Sequence, residues 1–171
     1  MTRHEGRDVS GGHDRGPEHT PRLRLKPKAP TTGHVDGAWW PHSDDLSKEL
    51  PDLLAVLSVR LGPVDRVMYN LAEWAKVPRR LLIGGRVVRL DGYRLQPANT
   101  LQAVGVGRMK ILLLVVPPNT APDIAHEAMM TAAAPDNAST VGDLLAIGAH
   151  DAEAPNPYHR PTFRRRIRGT R

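Results

Sequence analysis

Arg80-Leu81-Leu82-Ile83-Gly84-Gly85-Arg86-Val87-Val88-Arg89-Leu90-Asp91-Gly92-Tyr93 decides how this chain is read. Two short apolar runs flank Gly84-Gly85. Both glycines accept positive φ, so the stretch reads as a tight hairpin between Arg80–Ile83 and Arg86–Leu90. Asp91-Gly92 reads as a further reversal, and Asp36-Gly37 as the same turn chemistry, because Asp bonds its own backbone and Gly turns freely.

Outward from there the two-residue period continues. Asn99 to Val106 and Met109 to Val116 flank Gly107-Arg108, a second hairpin. Val64 to Trp74 alternates, with Val67, Tyr69 and Leu71 on one face and Arg66, Met68 and Asn70 on the other. Upstream, Arg22 to Lys26 and His34 to Trp40 read as strands ended by prolines. Between them and Val64, leucines 46, 50, 53, 54, 57 and 61 make one helical face. Ser43 reads as its cap, and Pro51 as the point where a short first turn gives way to the main helix. Thr120 caps a closing helix from Pro122 to about Ala133, and Thr140 a short one from Val141 to Ile147.

The fold class that follows is α+β. It is a curved antiparallel sheet of about six to seven strands, a meander, with an inserted helix and a closing C-terminal helix. Helices on one face are the simplest arrangement. A more closed, barrel-like sheet around a cavity is the alternative. Residues 1–21 read as a disordered tail and 22–134 as a single domain. Residues 135–153 read as an acidic arm with a short helix, and 154–171 as a basic disordered tail.

Charge is distributed unevenly. The formal net charge is +6. Residues 22–118 hold fifteen Lys/Arg against eight acids, and residues 119–153 hold six acids and no Lys or Arg. The acidic arm can screen the basic centre, so the overall charge does not by itself imply a nucleic-acid partner. With no cysteine, a disulfide framework and thiolate chemistry are excluded. The longest apolar run, Ile111 to Val116, is far short of the roughly 20 residues of a membrane span. No secretory signal is visible, and a cytoplasmic setting is expected.

No catalytic signature is present, and no cofactor motif. His34 and His42 flank Asp36 without a recognised ligand spacing, so no metal site is read there, and His126 reads as solvated. The scarce aromatics carry more weight. Trp39 and Trp40 stand side by side, and strand alternation sends them to opposite faces. One belongs to the core. The other needs cover, most simply from the closing helix or an arginine. Candidate ligand-binding residues are Asp36, Trp39, Trp40, Tyr69, Trp74, Asp91, Tyr93 and Arg94. Candidate nucleic-acid contacts are Arg164, Arg165, Arg166, Arg168 and Arg171, an electrostatic anchor without sequence specificity. Two function classes result. The first is a non-enzymatic binding or accessory protein that engages nucleic acid or another acidic partner through basic sheet residues and the tail. The second is a small-molecule-binding domain or enzyme with an aromatic pocket near the two Asp-Gly motifs.

Leu25-Lys26-Pro27, Val35-Asp36-Gly37-Ala38-Trp39-Trp40-Pro41, Arg66-Val67-Met68-Tyr69-Asn70, Gly85-Arg86-Val87-Val88-Arg89-Leu90-Asp91-Gly92-Tyr93 and Leu113-Leu114-Val115-Val116-Pro117-Pro118 together resemble an uncharacterised actinobacterial family. It is a domain of unknown function found in small proteins of mycobacteria and their relatives. The resemblance covers about residues 22–134. It implies a bacterial cytosolic origin and a single domain, and carries over no functional residue.

Overall fold

In a computed structural model, the structure describes residues 19–28 and 32–147. Alternating apolar residues give seven strands. These are β1 (Arg22–Leu25), β2 (Gly37–Trp40), β3 (Val64–Asn70), β4 (Arg80–Ile83), β5 (Arg86–Tyr93), β6 (Thr100–Gly105) and β7 (Lys110–Val115). Helix α1 (Leu46–Leu61) is inserted between β2 and β3, and α2 (Pro122–Ala132) and α3 (Val141–Ala146) close the chain. The strands form one open sheet in the order β1-β2-β7-β6-β3-β5-β4.

The α+β class, the strand number and the positions of the helices along the chain match the sequence reading. The pairing does not follow a simple meander, because β2 pairs with β7 and β3 with β5 in parallel. The remaining neighbours are antiparallel. Parallel neighbours need a long connection, and the chain has two. The segment holding β4 lets β5 return beside β3 in the same direction. The hairpin of β6 and β7 fills the gap between β3 and β2. Edges at β1 and β4 remain, so the barrel-like alternative is not adopted.

The helices lie on both faces rather than one. Leu46, Leu50, Leu53, Leu54, Leu57 and Leu61 of α1 join Trp39, Val67, Tyr69, Leu90, Leu101 and Leu113 in one core. On the opposite face Ala38, Leu114 and Val116 meet Ala125, Ala128, Met129 and Ala132 of α2 and Leu144 of α3. The cause lies in the run Ile111–Val116. It is apolar at every position, so both of its faces need cover.

Local details refine the sequence reading. Gly84 and Gly85 take φ of 55° and 75°, as the hairpin requires. At the second hairpin it is Arg108, with φ of 66°, that turns left-handed. Helix α1 is capped by Asp45, whose side chain accepts the Ser47 N–H, and it runs through Pro51 unbroken. Glu49 secures the entry by accepting from the Ser43 hydroxyl and the His42 N–H. Leu46 and Leu50 are fully buried ahead of the proline, so packing holds the first turn in line. Ala121 precedes α2 without a side-chain cap bond, whereas Thr140 and Asp143 form a reciprocal capping box at α3.

Neither Asp-Gly pair is a turn. β5 continues through Asp91 and Gly92 to Tyr93. A Cβ at Gly92 would sit 2.6 Å from Leu71 Cδ1 and 2.9 Å from the Tyr69 ring. At Gly37 a Cβ would run into the Arg24 carbonyl and Leu25 of β1. Both glycines therefore serve close packing. Asp36 prolongs the parallel ladder: its N–H donates to Leu112 O (2.7 Å), and its carboxylate accepts the Leu112 N–H (2.8 Å).

Lys26, only 1% exposed, is the one charged residue buried among the described residues. Its ammonium donates to the carbonyls of Thr32 (2.7 Å) and Asn137 (2.8 Å), tying the β1–β2 connection to the segment before α3.

Two stability outcomes follow. Gly37→Ala and Gly92→Ala are each expected to lower stability by about 1–3 kcal/mol through overpacking, read as a lower midpoint in urea. Lys26→Met leaves two carbonyls without a donor, at a cost of about 1–3 kcal/mol for each group left unsatisfied. An unchanged midpoint for Lys26→Met would remove its role as a tie.

Candidate functional site

The tryptophan pair is divided between the two cores. Trp39 is 1% exposed and stacks on Trp74, with centroids 5.6 Å apart and planes 17° apart. Trp40 points to the other face and packs beside the α2 cluster. Its cover is intramolecular. The Arg22 guanidinium carbon lies 3.4 Å from the Trp40 ring centroid. The same guanidinium donates to Trp40 O (2.9 Å) and Pro41 O (2.5 Å). The Trp40 indole N–H donates to Pro118 O at 3.3 Å.

The two aspartates lie on one cross-strand row but far apart. Register runs from Asp91 to Met68, from Met68 to Gln102 and from Gln102 to Leu112, beside which Asp36 sits. Four strand spacings of about 4.8 Å separate them by about 19 Å, so no paired-carboxylate centre forms. Asp36 is occupied by the Leu112 N–H. Asp91 is held by Arg66 Nε (2.5 Å), with Arg89 Nη2 3.7 Å away, and Arg66 Nη2 donates to the Tyr93 hydroxyl at 2.9 Å. Tyr69 lies beneath the sheet in the α1 core, where burial, helped by Asp91, raises its phenol pKa. Arg94 lies just past β5 and is exposed. The eight candidates are thus spread over both faces, and no single pocket gathers them.

Two features remain as candidate sites. The first is a sheet face. Helices α2 and α3 pack over β2 and β7, and α2 also reaches β1. Among the described residues no helix lies over the same face of β6, β3, β5 and β4. Arg66 and Met68 of β3, Val87, Arg89 and Tyr93 of β5, and Arg80 and Leu82 of β4 project there. Leu82 and Val87 are register partners and are 69% and 58% exposed. Asp91 is the single acid in this group.

The second is a cleft of about 190 Å³ at the end of the sheet, lined by Asp44, Glu73, Trp74, Asn99, Val115, Pro117 and Pro118. Asp44 stands just before α1, Glu73 and Trp74 in the turn after β3, and Asn99 just before β6. The prolines follow β7. Glu73 Oε1 accepts the Asn99 N–H at 2.5 Å. Glu73 Oε2 and Trp74 Nε1 are buried and find no partner among the described residues. Burial pushes the Glu73 carboxyl above its ordinary pKa, opposed in part by the Asn99 N–H.

Of the cleft residues, the sequence reading named only Trp74. Glu73 and Asn99 read from the sequence as the ends of strands, but they lie in loops just outside β3 and β6. The available signal was an acid next to a tryptophan at the end of a strand. His42 sits at the α1 entry, and His34 and His126 are exposed. Among the described residues, no group of three or more His, Cys, Asp or Glu side chains is arranged to hold a metal ion. None of the described helices is long and apolar enough to cross a membrane. The five candidate arginines of the tail lie outside the described residues.

The raised Glu73 pKa has a stability consequence. Folding favours the protonated form, so this group's contribution is fully present at acid pH and is lost as pH rises through the raised value. Glu73→Gln keeps an acceptor for the Asn99 N–H and removes the buried charge. The variant should melt above the parent at neutral pH, and the gap should close as pH falls below the ordinary glutamate range. Melts between about pH 4 and about pH 8 test this, and a gap independent of pH contradicts it.

Neither the curated proteins nor the solved structures hold a match to this chain. Residues 22–132 match the Family of unknown function (DUF5994), which spans the sheet and reaches the end of α2, and the chain belongs to that family.

Proposed function

We propose that this protein is a non-enzymatic binding module whose uncovered half-sheet docks an acidic protein segment. The observation that carries this reading is the pairing of exposed Leu82 and Val87 on the edge hairpin of β4 and β5, next to a row of arginines on the same face. Exposed apolar side chains grouped on one surface mark interaction sites more often than scattered ones do. Arg80, Arg89 and Arg66, one cross-strand row beside them, give the face an excess of positive charge, so an acidic partner is complementary. Apolar side chains bordered by charged ones are a usual feature of a protein interface.

Nucleic acid is the weaker choice of partner. Binding single strands through a sheet uses several stacked aromatic side chains, and this face offers only Tyr93, whose hydroxyl is tied to Arg66. The tail arginines Arg164, Arg165, Arg166, Arg168 and Arg171 add salt-sensitive attraction to the same class of partner. The resemblance to mycobacterial sequences supports a bacterial cytosolic setting for this encounter.

Fluorescence anisotropy of the full chain with two labelled probes tests the reading. One probe is a glutamate-rich peptide with alternating leucines, the other a polyuridylate single strand. The peptide should bind at low salt and weaken as salt rises. Replacing Leu82 and Val87 by Asp should weaken it tenfold or more, about 1.4 kcal/mol, with the melting temperature little changed because both positions are exposed. Tighter binding of the polyuridylate, lost in the same variant, would replace the protein partner by nucleic acid. Failure of both probes to sense the double variant would refute the reading.

A further inference from the structure

The cleft at the end of the sheet has a chemistry opposite to that of the rest of the domain. Residues 22–118 hold nearly twice as many bases as acids. Yet the seven lining residues include two acids, Asp44 and Glu73, and no Lys or Arg. The remaining wall is apolar and flat: Val115, Pro117, Pro118 and Trp74. One side of the Trp74 ring is already occupied by Trp39. This stack and the core beneath it fix the indole as a rigid wall.

Two polar atoms of this lining find no partner among the described residues, Glu73 Oε2 and Trp74 Nε1. Buried polar groups are nearly always satisfied, and each exception calls for an explanation. Glu73 cannot turn away freely, because its other oxygen is held by the Asn99 N–H. A ligand that brings a donor to the carboxyl removes the cost of leaving the oxygen bare. A positive charge on that donor also offsets the burial of the carboxylate. The aromatic wall favours the same charge, since a cation near an indole is attracted by its ring. At about 190 Å³ the cleft lies below the common range for drug-sized ligands. It suits one ring or a short chain.

We propose that this cleft binds a small organic cation, a protonated amine carried on a single flat apolar body, with Glu73 and Asp44 receiving the ammonium and Trp74, Pro117 and Pro118 the apolar part. Glu73 is the anchoring residue and Asp44, on the rim, a secondary one. The site is separate from the half-sheet proposed to dock a partner, and does not depend on that reading.

Titration calorimetry of the full chain at neutral pH tests it with benzylamine as the probe, and with benzyl alcohol and benzoate as neutral and anionic counterparts of similar shape. Benzylamine should bind, benzyl alcohol at least tenfold more weakly, and benzoate not at all. Glu73→Gln should lower the benzylamine affinity at least tenfold and Asp44→Asn severalfold. The Leu82 and Val87 double variant should leave it unchanged, so failure of this site is distinguishable from failure of the docking face. Equal binding of amine and alcohol would reduce the site to an apolar crevice and overturn the proposal. Absence of amine binding would overturn it as well, as would an affinity indifferent to both acid replacements. Asp44 is exposed, so its variant keeps the test valid even if replacing Glu73 disturbs the turn.

Discussion

Strand β7 must be covered on both sides, and the rest of the architecture follows from that requirement. Ile111, Leu113 and Val115 face the α1 core, while Leu114 and Val116 face α2. Each such side chain contributes about 1.5–3 kcal/mol when it is removed from water. A single layer of helices would leave half of these residues in solvent. The chain therefore sends α1 to one face and α2 with α3 to the other. β2, the parallel neighbour of β7, is under the same constraint, and its tryptophans are divided accordingly.

The same logic explains where cover stops. On β3 and β5 the outward positions are Arg66, Met68, Val87, Arg89 and Asp91, a mixture that tolerates water. Only the inward positions, such as Val67, Tyr69, Val88 and Leu90, need a partner, and α1 supplies it. One half of the sheet is thus a three-layer structure and the other half a two-layer one. The boundary between them falls near β6. This division leaves over two features, an open basic half-face and a cleft where the loops at one end of the sheet meet the entry to α1.

Much of the fold was legible because burial follows period. The hairpin at Gly84-Gly85, the α1 leucine face and the opposite facing of Trp39 and Trp40 were each readable from spacing. The Asp-Gly motifs were misread as turns. Asp and Gly favour turns intrinsically, but here each glycine is required by a neighbour distant in sequence, Tyr69 for Gly92 and Arg24 for Gly37. The cap of α1 fell to Asp45 rather than Ser43, because Ser43 is engaged with Glu49. Lys26 gave no sign of its role. Its two carbonyl partners include Asn137, more than a hundred residues along the chain.

Sequence by itself determined the local objects: seven strands, a long leucine-faced helix, two closing helices, and a double-sided apolar β7. These depend on contacts between near neighbours and on the partition of side chains between water and interior. Tertiary structure decided the strand order, the two parallel pairings and the membership of the cleft. Register brings Asp91 and Asp36 onto one row yet holds them four strands apart. Chain reversals bring Asp44, Glu73, Asn99 and Pro117 together from four separate loops. Pairings of that kind depend on which distant segments share a core, and no local period in the chain encodes them.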